Sequence, residues 1–201
     1  MTKSTAKSHA RGPIIVSRHG RPALNRSAGP KLTWQEYRDW WDRYEVGSLA
    51  EDQVAPDNLK AAVADVDLVL SSARPRAIET AQWATNGREP EPFAVFNEAP
   101  LPPPRFEGRK YLPKTWNILA RAAWMRGHSL DMESVTEARA RAIDAAAHLH
   151  EAAEGKTVYL AAHGWFNRML RKPLRKQGWV CVRDGGDSYW SYRIYEYRGK
   201  T

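Results

Sequence analysis

Cysteine is almost absent from this chain: Cys181 is the one cysteine in 201 residues. No internal disulfide can close and no Cys cluster can hold zinc, which fits a reducing cytoplasm and a buried, inert thiol. Long apolar runs are missing as well. No stretch approaches the roughly 20 apolar residues needed to cross a bilayer, and the early run 13–16 is too short for an export signal. The expectation is a cytoplasmic protein without membrane association. Patterned metal ligands are lacking too, since neither HExxH nor a spaced Cys/His motif occurs. His148 and His150 would point about 200 degrees apart on a helix and could not share an ion. No RRM, KH, zinc-finger or helix-turn-helix signature is present, so specific nucleic-acid binding is not expected.

What the chain does contain suits one globular domain. Hydrophobic residues make up 42% and charged residues 27%, while thirteen prolines imply generous loops. The net charge of +8 favours anionic partners, a class that covers nucleic acid, acidic lipid and phosphorylated metabolites alike. Residues 1–12 carry three basic and no acidic side chains and read as a disordered basic tail before a domain over 13–201. Arg168, Arg171, Lys172, Arg175 and Lys176 would share a helical face interrupted by Pro173. That row supports a competing reading as a polyanion-binding surface.

Three short apolar runs end at polar, chemistry-bearing residues. Ile14-Ile15-Val16-Ser17 stops at Arg18-His19-Gly20, the run 66–72 stops ahead of Pro75, and the run 157–162 stops at His163-Gly164. Helical patterns fall at 33–44, 53–65, 75–85 and 133–153, and Pro75 suits the first position of its helix. Alternation near the end, 188–197, suggests a late strand, placed at a sheet edge. Strands alternating with helices predict a three-layer α/β/α sandwich around a mainly parallel sheet. In such sheets sites form outside the carboxyl ends of the strands, which brings Arg18, His19, Arg76 and His163 towards one crevice.

Taken together, these segments resemble the histidine phosphatase superfamily, which has the phosphoglycerate mutase-like fold. Arg18-His19-Gly20 is similar to its RHG signature, and Asn25 falls where many members have a phosphate-contacting asparagine. Ser71-Ser72-Ala73-Arg74-Pro75-Arg76-Ala77-Ile78-Glu79-Thr80-Ala81 resembles the family's Ser-rich strand end with its second arginine, which makes Arg76 that arginine rather than Arg74. Ala162-His163-Gly164 resembles the second histidine motif, with Gly164 at the substrate, and Glu98 falls where many members place a general acid. Two departures stand out: Arg21-Pro22 directly after RHG, and Pro102-Pro103-Pro104-Arg105-Phe106 where a glycine-rich segment often follows the glutamate.

The resemblance implies a metal-independent, cofactor-free phosphatase acting on a phosphorylated small molecule through phosphohistidine on His19. Phosphoglycerate mutase-type transfer and non-catalytic binding of phosphorylated ligands are the alternatives. The residue types suit the chemistry. A phosphomonoester dianion is approachable only when its oxygens are held by cations, and Arg18 and Arg76 supply planar forks for that task. The same charges favour a neutral imidazole at His19. His163 would stabilise the moving phosphoryl group, and Glu98 would carry the leaving group's proton. Residues 98–128 would form a lid, in which Arg105, Arg109, Lys110, Trp116 and Trp124 are candidate ligand contacts.

Overall fold

A computed structural model describes residues 10–199. The order of elements is β1 Ile14–Arg18, α1 Trp34–Glu45, α2 Asp57–Val63, β2 Leu68–Ser72, α3 Pro75–Ala84, β3 Glu91–Phe93, a 3-10 turn Ala94–Phe96, α4 Pro113–Met125, α5 Val135–Ala152, β4 Val158–Ala162, α6 Gly164–Lys176, β5 Trp179–Asp184 and β6 Tyr192–Tyr197. The six strands form one sheet in the order β3-β2-β4-β1-β6-β5. The first four positions are parallel, and β6 and β5 close the other side antiparallel.

Alternation along β1, β2 and β4 supplies two apolar faces, the requirement for a layer on either side. Ile14, Val16, Leu70, Val158 and Leu160 meet α5 and α6 through Ala142, Ala145, Leu149, Phe166 and Leu170. On the opposite face Ile15, Val69, Tyr159 and Ala161 meet Leu59 and Val63 of α2 and Ala81 and Ala84 of α3. The expected three-layer sandwich is therefore present. α1 and α4 stand apart from both layers, joined by an aromatic cluster that includes Tyr37, Trp40, Trp41 and Trp116.

Local chemistry starts the helices where the sequence places them. Thr33 and Glu36 form a capping box at α1, and Ser134 and Glu137 form another at α5. Pro75 opens α3, as its fixed φ favours.

Other expectations change. The helix expected over 53–65 is shortened to Asp57–Val63, because Pro56 sits in extended backbone at its N-cap. The late strand, β6, is internal rather than an edge; β5 takes the edge and leaves Val180 and Val182 exposed on it. Cys181 lies on that edge strand, partly exposed rather than buried, with Sγ donating to the Arg183 carbonyl. Burial and nearby Asp184 push its thiol pKa upward, which keeps it protonated.

Residues 1–9 of the expected tail, His9 among them, lie outside the described residues. Residues 10–12 do not behave as a free tail: the Gly12 N–H bonds the Ala153 carbonyl and Arg11 Nε bonds the His150 carbonyl. Among the described residues no helix is long and apolar enough to cross a membrane.

Candidate active site

β1 delivers Arg18 and His19 to the carboxyl end of the sheet, and the parallel neighbour β4 delivers His163 beside them. The His19 N–H bonds the Ala162 carbonyl at 2.9 Å, which locks the two strand ends together. A third element is tied to the same turn: the Gly20 N–H donates to Thr80 Oγ1 of α3 at 2.9 Å. Thr80 Oγ1 in turn donates to the Arg76 carbonyl at 2.6 Å. Gly20 is required here because a Cβ would fall 2.4 Å from Trp190.

His19 is 2% exposed. Its Nδ1 lies 2.6 Å from the Gly20 carbonyl, which can only accept, so Nδ1 carries the proton and Nε2 keeps its lone pair. Burial, then Arg76 and Arg18, depress its pKa well below the ordinary histidine value, and the ring is neutral. The His163 ring stands 5.1 Å from it, centroid to centroid. Burial, Arg76 and His19 depress the His163 pKa in the same direction. His163 Nε2 lies 2.6 Å from Ser72 Oγ, while its Nδ1 is buried without a partner.

The two arginines are held differently. Arg18 Nη1 donates to the Asp187 carbonyl at 2.6 Å, and its guanidinium lies 4.2 Å from the centre of the Tyr189 ring. It passes so close to α6 that a Cβ on Gly164 would lie 3.1 Å from Arg18 Nε, which explains the glycine at that position. Arg76 is fully buried, and its terminal nitrogens are engaged from α1. Nη1 donates to the Tyr44 and Glu45 carbonyls, and Nη2 meets Glu45 Oε1 at 2.6 Å. Glu45 Oε2 also lies 3.1 Å from Arg74 Nε. Sequence reasoning missed Glu45.

A cavity of about 500 Å³ opens beside His19, lined by Arg18, Arg76, Glu98 and Gly164 among the expected residues. Glu98 is oriented by α6: its oxygens accept from the N–H groups of Ala99, Trp165 and Phe166 at 2.8–3.1 Å. The carboxylate therefore sits at the positive end of that helix.

Asn25 is not in the cavity wall. It is exposed, with Oδ1 accepting from the Ser27 N–H, and its neighbour Arg26 lines the cavity instead. Within the expected lid, Trp116 and Trp124 are core residues whose indole N–H groups bond the Leu32 and Glu133 carbonyls. Arg105, Arg109 and Lys110 do not line the cavity either; Lys114, Asn117 and Arg121 of α4 do. Arg21 is paired with Asp52 away from the wall. On α6, Arg168 and Arg171 of the proposed polyanion row are ion-paired with Asp187 and Asp184. Among the described residues no three His, Cys, Asp or Glu gather as a metal site.

The histidine phosphatase superfamily (branch 1) matches residues 50–200, about three-quarters of the chain. No curated protein matches. Among solved structures, the chain is similar to a phosphoglycerate mutase from Bacillus anthracis, with TM-score 0.59, 19% identity, and 96% of this chain and 93% of that one covered. It is also similar to a phosphoserine phosphatase from Entamoeba histolytica, solved with phosphoserine and with 3-phosphoglyceric acid, at TM-score 0.56 and 17% identity over 82% of this chain and 80% of that one. The product of an open reading frame of Mycobacterium tuberculosis gives TM-score 0.55 at 19% identity, covering 94% and 98%. The phosphoglycerate mutase-like sheet, the RHG turn at its carboxyl end and the family match agree: this chain belongs to the histidine phosphatase superfamily.

Proposed function

We propose that the chain is a phosphatase that hydrolyses phosphomonoesters of small molecules through a phosphohistidine on His19. One observation carries this reading. Around a neutral imidazole with a free Nε2 lie three buried polar atoms without partners, Arg18 Nε, Arg76 Nε and His163 Nδ1. An unsatisfied buried polar group costs about 1–3 kcal/mol, so a cluster of them marks a place where a ligand supplies the missing acceptor.

His19 Nε2 attacks phosphorus, the P–O bond to the leaving group breaks, and the arginines balance the charge on the equatorial oxygens. In this reading Glu98 is protonated for the first half of the cycle and gives that proton to the leaving oxygen, becoming a carboxylate. Water then attacks the phosphohistidine, gives its proton to Glu98, and phosphate leaves with His19 restored. Because Glu98 is held by α6 backbone donors, it acts after turning towards the cavity or through one water. Mutase-type transfer would differ only in the acceptor of the phosphoryl group.

Rapid quench with labelled p-nitrophenyl phosphate tests the reading. Label is expected on the His19 peptide, stable in base and lost in acid, and His19→Ala is expected to abolish both adduct and turnover. Activity above a few per cent in His19→Ala, or label on the His163 peptide, would overturn it. Return of label to an added alcohol in preference to water would assign transfer instead of hydrolysis.

A further inference from the structure

One wall of the cavity is a single face of α4. Lys114, Asn117, Ile118, Arg121, Ala122 and Met125 line it. Their spacing of i, i+3, i+4, i+7, i+8 and i+11 is one stripe of a helix, and Trp116, Ala120 and Trp124 on the other side are buried. Along about 16 Å of axis the stripe runs from Lys114 past Ile118 and Arg121 to Met125. Ile118 and Met125 are 65% and 54% exposed there, although both are large and hydrophobic.

The charges of the cavity divide into committed and uncommitted ones. Arg76 is paired with Glu45 and Arg168 with Asp187. The Arg121 guanidinium donates to the Ala99 and Pro100 carbonyls and lies 4.7 and 4.8 Å from the Trp124 and Trp165 ring centres. Arg18, whose Nη1 meets only the Asp187 backbone carbonyl, lies beside His19 and is assigned to the phosphoryl group, which leaves Arg26 and Lys114. Neither has a carboxylate at ion-pair distance among the described residues, and their segments are joined by the Lys114 N–H to the Arg26 carbonyl at 2.8 Å. Arg26 is also near the nucleophile: its guanidinium lies 5.7 Å from the centre of the Tyr189 ring, and that ring lies 5.7 Å from the His19 ring.

We propose that Arg26 and Lys114 form a second anion subsite, and that the substrate is a phosphomonoester whose organic part carries another anionic group on an apolar body. The inference rests on the phosphatase reading and names the substrate class of the same cavity. Arg18 and Arg76 take the phosphoryl group, Arg26 and Lys114 take the second anion, and Ile118 and Leu101 face the apolar part. A compact three-carbon phosphate has no apolar body to place against that wall. A cavity of about 500 Å³ falls within the range of larger, drug-sized ligands.

The test compares phenyl phosphate, 4-carboxyphenyl phosphate, benzene-1,4-bisphosphate and 3-phosphoglycerate on the native chain and on Arg26→Ala/Lys114→Ala. The quantity read is kcat/KM relative to phenyl phosphate, so that comparing the two proteins cancels the leaving-group chemistry. Binding of the same compounds to His19→Ala, with and without the two substitutions, is measured by calorimetry. The native ratio for a two-anion aryl substrate is expected to fall about tenfold in the double variant, as for the loss of one well-made charge contact. It is also expected to shrink with added salt. The carboxylate and bisphosphate arms show which second anion is preferred.

Ratios that the double substitution leaves unchanged, in turnover and in binding, would overturn the subsite. So would 3-phosphoglycerate binding as well as 4-carboxyphenyl phosphate, since no apolar contact would then be used. Absence of turnover with every compound would remove the phosphatase reading, while the binding ratios would still decide the subsite.

Discussion

Arg76 enters the site with its terminal nitrogens already bonded, and this changes what phosphate must do on arrival. The ligand must share a guanidinium that Glu45 holds at 2.6 Å, or displace that carboxylate. Glu45→Ala would leave a fully buried guanidinium without its counter-charge, a change that costs on the order of 3–5 kcal/mol. The melting temperature is expected to fall, and inorganic phosphate is expected to raise it more in the variant than in the native chain. An equal phosphate-induced shift in both would show that Glu45 and phosphate do not compete for Arg76. Arg18, His19, Arg76 and His163 were legible because each stands in a short motif at a strand end or helix start. Glu45 was not, because its partner lies 31 residues away and no local pattern records such a pairing. Asn25 illustrates a second limit: the loop after RHG has no repeating period, so nothing in the sequence shows that Arg26 rather than Asn25 faces the cavity.

At the scale of elements, the readable ones had a period or a cap. α1 and α5 begin at capping boxes, α3 begins at Pro75, and β1, β2 and β4 are apolar runs ended by polar residues. α4 and β5 escaped for a different reason. In α4 the buried stripe is built from Trp116, Ala120 and Trp124, and the other face lines a cavity, so apolar residues occur on both sides and blur the amphipathic signal. In β5 the alternation of Trp179 and Cys181 with exposed Val180 and Val182 hides the inward face. α6 gives the testable case at this scale, because Glu98 meets the N–H groups of its first turn directly after His163 and Gly164. Glu98→Gln keeps the shape but loses the charge and one of the two acceptor oxygens, and is expected to lower stability by about 1–3 kcal/mol. If Glu98 also carries the proton, an alkyl phosphate should lose far more turnover than p-nitrophenyl phosphate, whose leaving group needs little protonation. Equal losses would leave Glu98 only the task of holding α6 and His163 in place.

For the whole molecule, the site makes folding sensitive to acid. His19 and His163 are 2% and 0% exposed, and burial with neighbouring arginines holds both pKa values well below 6.5. In the unfolded chain both return to ordinary values and take up protons near pH 6.5. Below that pH the unfolded state binds more protons than the folded one, so stability rises with pH and is lost as pH falls. The loss begins near pH 6.5 and continues down to the depressed folded values. Each histidine contributes a slope of about 1.4 kcal/mol per pH unit, or nearly 3 kcal/mol for the pair. A domain with the usual 5–15 kcal/mol of stability is then expected to weaken substantially by pH 5, before most carboxylates titrate. Urea unfolding between pH 7.5 and 4.5 measures the slope directly. His19→Gln is expected to reduce it by about half, because glutamine does not titrate in this window and leaves His163 in place. An unchanged slope in that variant would mean that His19 is not the neutral, buried base on which its role as nucleophile depends.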